Sequence, residues 1–144
     1  MNSDQYYMEL AQEVATRSTC LRRQVGAVAV QGSFTIASGF NSAPRGSQPC
    51  AETGCLRQEL GVPSGQRHEI CRALHAEQNV ITIAANSGLS LFGARLYVTH
   101  SPCAICAKLI VNAGIKEVIF AEGYPDDLAE TFLKSAGVRL RQMD

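Results

Sequence analysis

The chain of 144 residues reads as an α/β domain on a mixed sheet, and three observations predict this. Segments of helical and strand period alternate from residue 73 onward, the pattern of βαβ crossovers between parallel strands. Two β-rich runs nearer the N-terminus, separated by Gly32-Ser33, have the form of an antiparallel hairpin. No internal repeat or compositional break divides the chain. Residues 1–144 are therefore expected to share one core, with 41–72 as a cysteine-containing insert.

The elements follow in order. A helix is expected from about residue 4 to residue 17, because Tyr7, Leu10, Ala11 and Val14 recur on one face. "QVGAVAVQ" and "FTIASGF" are the hairpin strands. Residues 41–72 show little periodicity but many Gly, Pro, Ser and Cys residues. A structureless loop of that length is uncommon, so either it is functional or something other than a hydrophobic core holds it. "LHAEQNVITIAANSG" reads as a helix ended by Gly88, and "ARLYVTH" as a strand. "PCAICAKLIVNAG" is a second helix, opened by Pro102 and closed by Gly114. The strand "KEVIFAE", the helix "DDLAETFLKSAG" capped by Asp126 or Asp127, and the short strand "VRLRQM" complete a mostly parallel sheet joined to the hairpin.

Composition narrows the function classes. The formal net charge is zero and 18% of residues are charged, which gives no bulk attraction to nucleic acid or to an anionic membrane surface. No apolar run has the length of a membrane span. The start, "MNSDQYYMELAQEVA", is acidic and amphipathic, unlike a secretory signal. A cytoplasmic location is expected, where the six cysteines stay reduced and turn to metal binding or catalysis.

The stretch "HEICRALHAEQNV" and the later "SPCAIC" carry the chemistry. Cys103 and Cys106, three apart at a helix start, can face one side of a turn, and that position favours thiolate over thiol. With His75 they supply three zinc ligands and leave a fourth position for water. Glu77, two residues beyond His75, is placed to shuttle protons without ligating. His75-Ala76-Glu77 followed by Pro102-Cys103-Ala104-Ile105-Cys106 has the H-x-E and P-C-x-x-C spacing of zinc nucleobase deaminases. Taken alone, the C-x-x-C would also suit a redox pair or half of a structural zinc site. His100 reads as a polar residue at a strand end.

Four longer segments carry a resemblance: "STCLRRQVGAVAV", "ASGFNSAPRG", "CAETGCLRQELGVPSGQRHEICRALHAEQN" and "LYVTHSPCAICAKLIVNAGIKEVIF". The sequence resembles the deoxycytidylate (dCMP) deaminases, in particular the bacterial and phage type with a long cysteine-containing insert. The resemblance implies the three-layer α/β/α cytidine deaminase-like fold with a central mixed five-stranded sheet. It implies hydrolytic deamination of dCMP to dUMP and ammonia by a zinc-activated water, supplying dUMP for thymidylate synthesis. The family's zinc ligands fall on His75, Cys103 and Cys106, and its proton shuttle on Glu77. Its substrate contacts fall on Asn41, Ala76 and, by a looser match, Tyr124. Allosteric members answer to dCTP and dTTP and form oligomers, hexamers among them. Arg22, Arg23 and Arg45 are candidate effector contacts, although arginines near turns are equally often solvated surface charges, and Asn86 stands where some allosteric members have arginine.

Cys20, Cys50, Cys55, His68 and Cys71 remain. A structural zinc on four of these five would order the insert, and the resemblance implies such a second zinc. A disulfide and buried free thiols are the competing readings. Rival functions are a dCTP-accepting or dual-specific deaminase, a zinc deaminase of tRNA or of a free nucleoside or base, and an idle competence-type zinc-binding accessory protein.

Overall fold

The computed structural model describes residues 2–64 and 66–143. The elements are α1 (Ser3–Ala15), β1 (Gly26–Gln31), β2 (Phe34–Phe40), α2 (Cys50–Thr53), α3 (Leu56–Glu59), α4 (Ala76–Asn86), β3 (Arg95–His100), α5 (Ala104–Ala113), β4 (Glu117–Glu122), α6 (Asp127–Ser135) and β5 (Arg139–Gln142). The expected hairpin is β1–β2, and Asp126 caps α6 by accepting a bond from the Leu128 N–H. The first helix stops at Ala15, two residues before the expected end, so Cys20 lies in the loop that follows. Residues 41–72 hold α2, α3 and a 3-10 turn at His68–Ile70 rather than bare loop.

The strands form one sheet in the order β2-β1-β3-β4-β5. The β3–β4 and β4–β5 pairs are parallel, but β1 pairs antiparallel with both β2 and β3. The sheet is therefore mixed and five-stranded, as the resemblance implies, with as many antiparallel as parallel pairs where the periodicity alone suggested mostly parallel ones. The reason lies in the crossover: α4 carries the chain from β2 to β3, and β1 sits between these two like-directed strands.

Alternation along the strands sorts the core into two layers. Ala27, Ala29, Leu96, Val98, Val118 and Phe120 face the helices α4, α5 and α6. Val28, Val30, Tyr97 and Ile119 face α1 through Tyr7, Met8 and Ala11. The result is an α/β/α sandwich. Two glycines set its tightest contacts, since a Cβ on Gly26 would lie 2.1 Å from the Ala11 carbonyl oxygen in α1. A Cβ on Gly39 would lie 2.8 Å from the Val80 nitrogen in α4. Both helices thus approach the hairpin backbone directly. Among the described residues, no helix is long and apolar enough to cross a membrane.

A polar clamp closes the α1 face. The Tyr97 hydroxyl, in a fully buried side chain, donates to Asp4 Oδ1 at 2.6 Å. Arg141 on edge strand β5 reaches the same carboxylate at 2.8 and 3.1 Å, and also bonds Glu117 at 3.1 Å. The Arg141 hydrogen bond first, and Tyr97 second, hold the Asp4 carboxyl below its ordinary value. A carboxyl depressed in the folded state contributes stability above its unfolded value and loses it as pH falls through the folded one. We expect Asp4→Asn to cost about 1 kcal/mol at neutral pH, a difference that shrinks as the medium is acidified below the ordinary carboxylate range. Urea melts of both proteins at neutral and acid pH check this; an equal gap at both ends would remove Asp4 from the clamp.

Candidate active site

The ends of β2 and β3 and the starts of β1, α4 and α5 share one edge of the sheet, since Gly26 pairs with Phe40 and Ala27 with Val98. Ligand crevices of α/β sheets form where helices begin beyond strand ends. A short antiparallel bridge, Ser42 to Leu74, pins the chain just ahead of α4, with N–H to carbonyl distances of 3.1 and 2.8 Å. Asn79 Nδ2 adds bonds to the Phe40 carbonyl at 2.7 Å and to Ser42 Oγ at 3.1 Å. The start of α4 is thereby fixed against the end of β2.

His75 is the N-cap of α4, and its backbone N–H donates to Gln78 Oε1 at 2.7 Å. Cys103 is the N-cap of α5, and Cys106 lies in the first turn, fully buried. His75 Nδ1 sits 3.2 Å from Cys106 Sγ and 3.5 Å from Cys103 Sγ. A tetrahedral zinc with bonds of about 2.0–2.3 Å holds such atoms roughly 3.3–3.8 Å apart, so the three donors fit the ion in spacing and in kind. Among the described residues, this is the only group of three or more candidate ligands found within 4.8 Å of one another.

The thiols share one proton unequally. The hydrogen bond from Cys106 outweighs burial and, with His75 assisting, pulls Cys103 down to about 3. Cys106 is pushed up, first by that same bond and then by burial. The pair thus favours a thiolate on Cys103, the form of cysteine that a divalent cation would bind. Glu77 is 4% exposed. Burial pushes its carboxyl up to about 7, against the pull of the His75 charge. A buried carboxyl near neutrality beside a metal triad is suited to taking and returning a proton.

A cavity of about 430 Å³ opens from Glu77, His75 and Cys103. Ala76, Asn41 and Tyr124 line it, as do Arg22 and Arg23, whereas Arg45 is exposed and lies outside the lining. Asn41 is largely engaged: its Oδ1 accepts from the Val25 N–H at 2.9 Å and its Nδ2 donates to the Arg23 carbonyl at 2.7 Å. It therefore fixes the loop that carries Arg22 and Arg23, with one N–H and one lone pair left for a ligand. Tyr124 is 93% exposed at the rim, and its carbonyl accepts from Ser101 Oγ. His100 pairs with Glu122 at 3.1 Å and also lines the cavity.

The second group divides. Cys50 and Cys55 are buried, and all six cysteines are free thiols. Burial, then Cys71, Cys20 and Cys55 in turn, push the Cys50 thiol up, so the three other thiols lie near enough to be felt, although among the described residues no three of these groups come within 4.8 Å of one another. His68 meets Arg57 and His75. Its Nδ1 lies 2.7 Å from Arg57 Nη1, and its ring stands edge-on to His75 with centroids 4.8 Å apart. Arginine only donates, so His68 Nδ1 accepts and the ring proton sits on Nε2. Arg57 is the residue that sequence reasoning missed. It is 7% exposed, yet nothing in "CLRQEL" separates it from a solvated arginine.

The family model described as the cytidine and deoxycytidylate deaminase zinc-binding region matches residues 1–122. The deoxycytidylate deaminase of Schizosaccharomyces pombe is 40% identical over 140 residues, 96% of this chain and 43% of that protein. ComE operon protein 2 of Bacillus subtilis is 38% identical over 98% of this chain and 71% of its own length. The chain thus spans less than half of the yeast relative. The crystal structure of the dCMP deaminase of cyanophage S-TIM5, in complex with dCMP and dUMP, superposes with a TM-score of 0.80 at 33% identity, covering 96% of this chain and 95% of that one. With the family model, the relatives and the fold in agreement over nearly its whole length, the chain belongs to the cytidine and deoxycytidylate deaminase zinc-binding family.

Proposed function

We propose that the protein deaminates dCMP hydrolytically, giving dUMP and ammonia, with zinc held by His75, Cys103 and Cys106. The observation that carries this is Glu77: a buried carboxyl outside the ligand set, two residues from His75 and on the wall of the same cavity. Zinc held by His75, Cys103 and Cys106 would lower the pKa of a water and so supply a nucleophile at neutral pH. Glu77 would take a proton from the attacking water as the water oxygen bonds to C4 of the ring. It would pass that proton to N3, then take the second proton from the hydroxyl added at C4 and hand it to the amine, which leaves as ammonia as the C4–N bond breaks and the C4 carbonyl forms. Ala76 and Pro102, packed into the wall, keep bulk water from the ring. The six free thiols suit a reducing compartment, and the cytoplasm is the proposed location.

A second, structural zinc is part of the proposal. The influence of Cys20, Cys55 and Cys71 on the Cys50 thiol supports a ligand set drawn from these four and His68, which packs against the ring of His75. The idle-site alternative is weakened by Glu77, since a site kept only for metal has no use for a buried unligated carboxyl.

Two measurements test these assignments. Glu77→Gln is expected to keep the zinc content of the parent by elemental analysis while dCMP turnover, followed by absorbance, drops by about 10²–10⁴ or more. Normal turnover in that variant would strike Glu77 from the mechanism. Native mass spectrometry should find two zinc ions per chain, and one after Cys50→Ser. A single zinc that survives the substitution would leave the thiols as a plain buried cluster.

A further inference from the structure

Asn41 forms part of the cavity wall and keeps one N–H and one lone pair for a ligand. Its other hydrogen bonds all run to one loop, residues 18–25. Its carbonyl accepts from the buried Ser18 hydroxyl at 2.9 Å, and its backbone N–H donates to the Val25 carbonyl at 3.2 Å. Its side chain accepts from the Val25 N–H and donates to the Arg23 carbonyl. Among the described residues, none of these bonds reaches α4, the helix that carries Glu77. The Asn41 wall and the Glu77 carboxyl therefore belong to two separately held pieces of the structure.

Asn79 joins them. It lies one helical turn past His75, and its backbone N–H donates to the His75 carbonyl at 3.0 Å. Its Nδ2 donates one proton to the Phe40 carbonyl at 2.7 Å and the other to Ser42 Oγ at 3.1 Å. Phe40 and Ser42 are the residues immediately before and after Asn41. Close packing at Gly39 sets how near α4 lies to β2, but apolar packing has no direction of its own. The Ser42–Leu74 bridge lies ahead of the helix rather than on it. Two directed bonds from one planar amide fix where along α4 the Asn41 wall stands.

We propose that Asn79 is a positioning residue for the deamination: it registers the Asn41 wall, where the nucleotide is received, against the Glu77 carboxyl. This rests on the deaminase reading and adds to it a residue outside both the cavity lining and the metal cluster. The register matters because a misplacement of about 1 Å between a bound substrate and the group that acts on it costs about 10²-fold in rate.

The zinc-loaded full chain carrying Asn79→Ala is assayed with dCMP beside the parent. Its kcat is expected to fall roughly 10–100-fold while KM changes less than about three-fold, because Asn41 keeps its own bonds and loses its register with Glu77. Asn79→Asp keeps the shape of the side chain without the two donors, and is expected to match the alanine variant. Ser42→Ala removes the longer of the two bonds and should lower kcat by a smaller factor. In an Asn41→Ala background, Asn79→Ala is expected to cost less than about three-fold, since the wall it registers is already gone. Zinc content by elemental analysis should equal that of the parent in every variant. Loss of zinc, a rise in KM as large as the fall in kcat, or an equal loss in both backgrounds would make Asn79 a support of the fold alone and overturn the inference. Parent-like turnover in Asn79→Asp would overturn it too, while leaving dCMP deamination intact. A zinc-loaded parent that does not deaminate dCMP would instead refute the deaminase reading, and the inference with it.

Discussion

The site depends on the starts of two helices being held within hydrogen-bonding distance of each other. His75 caps α4 and Cys103 caps α5. The hairpin positions the first of them. Gly39 lets the backbone of α4 rest on β2, Asn79 ties α4 to the last carbonyl of β2, and the Ser42–Leu74 bridge pins the residue before His75. A side chain at Gly39 would press on the Val80 nitrogen and shift α4, and a shift of about 1 Å is large on the scale that metal and acid/base geometry tolerates.

The insert contributes charge and chemistry more than core. α2 and α3 have four residues each, far below the length at which a helix holds in water unaided. What they bring is Cys50 and Cys55 to the thiol group and Arg57 to the cavity. Arg57 then reaches His68, and His68 packs on the ring of His75. The insert therefore meets the proposed metal site through side chains as well as through the covalent path along residues 71–75. Its order and the orientation of His75 are physically linked.

The opposite face of the sheet shows how the same fold tolerates buried polarity where no ligand is needed. Tyr97, Asp4, Arg141, Glu117 and Arg139 complete one another's hydrogen bonds and charges. Among the described residues, Nη1 of Arg22 and Nε of Arg57 have no such completion. That contrast separates a structural network from groups that wait for a partner.

The elements and the His75, Glu77, Cys103 and Cys106 constellation were legible in the sequence because they are local facts. Helical and strand periods lie in contiguous residues, and each half of the constellation spans one turn at a helix start. The tertiary structure decided the rest. It placed β1 between β2 and β3 and so made the sheet evenly mixed. It set His68 against Arg57 and the ring of His75, committed most of the Asn41 side chain to the loop before β1, and buried Arg57. Each of these outcomes joins residues separated by many positions, such as Arg22 with Val62 and Arg57 with His68. A periodic pattern shows which side of an element turns inward; which distant groups meet there is set by packing, and packing exists only once the chain has folded.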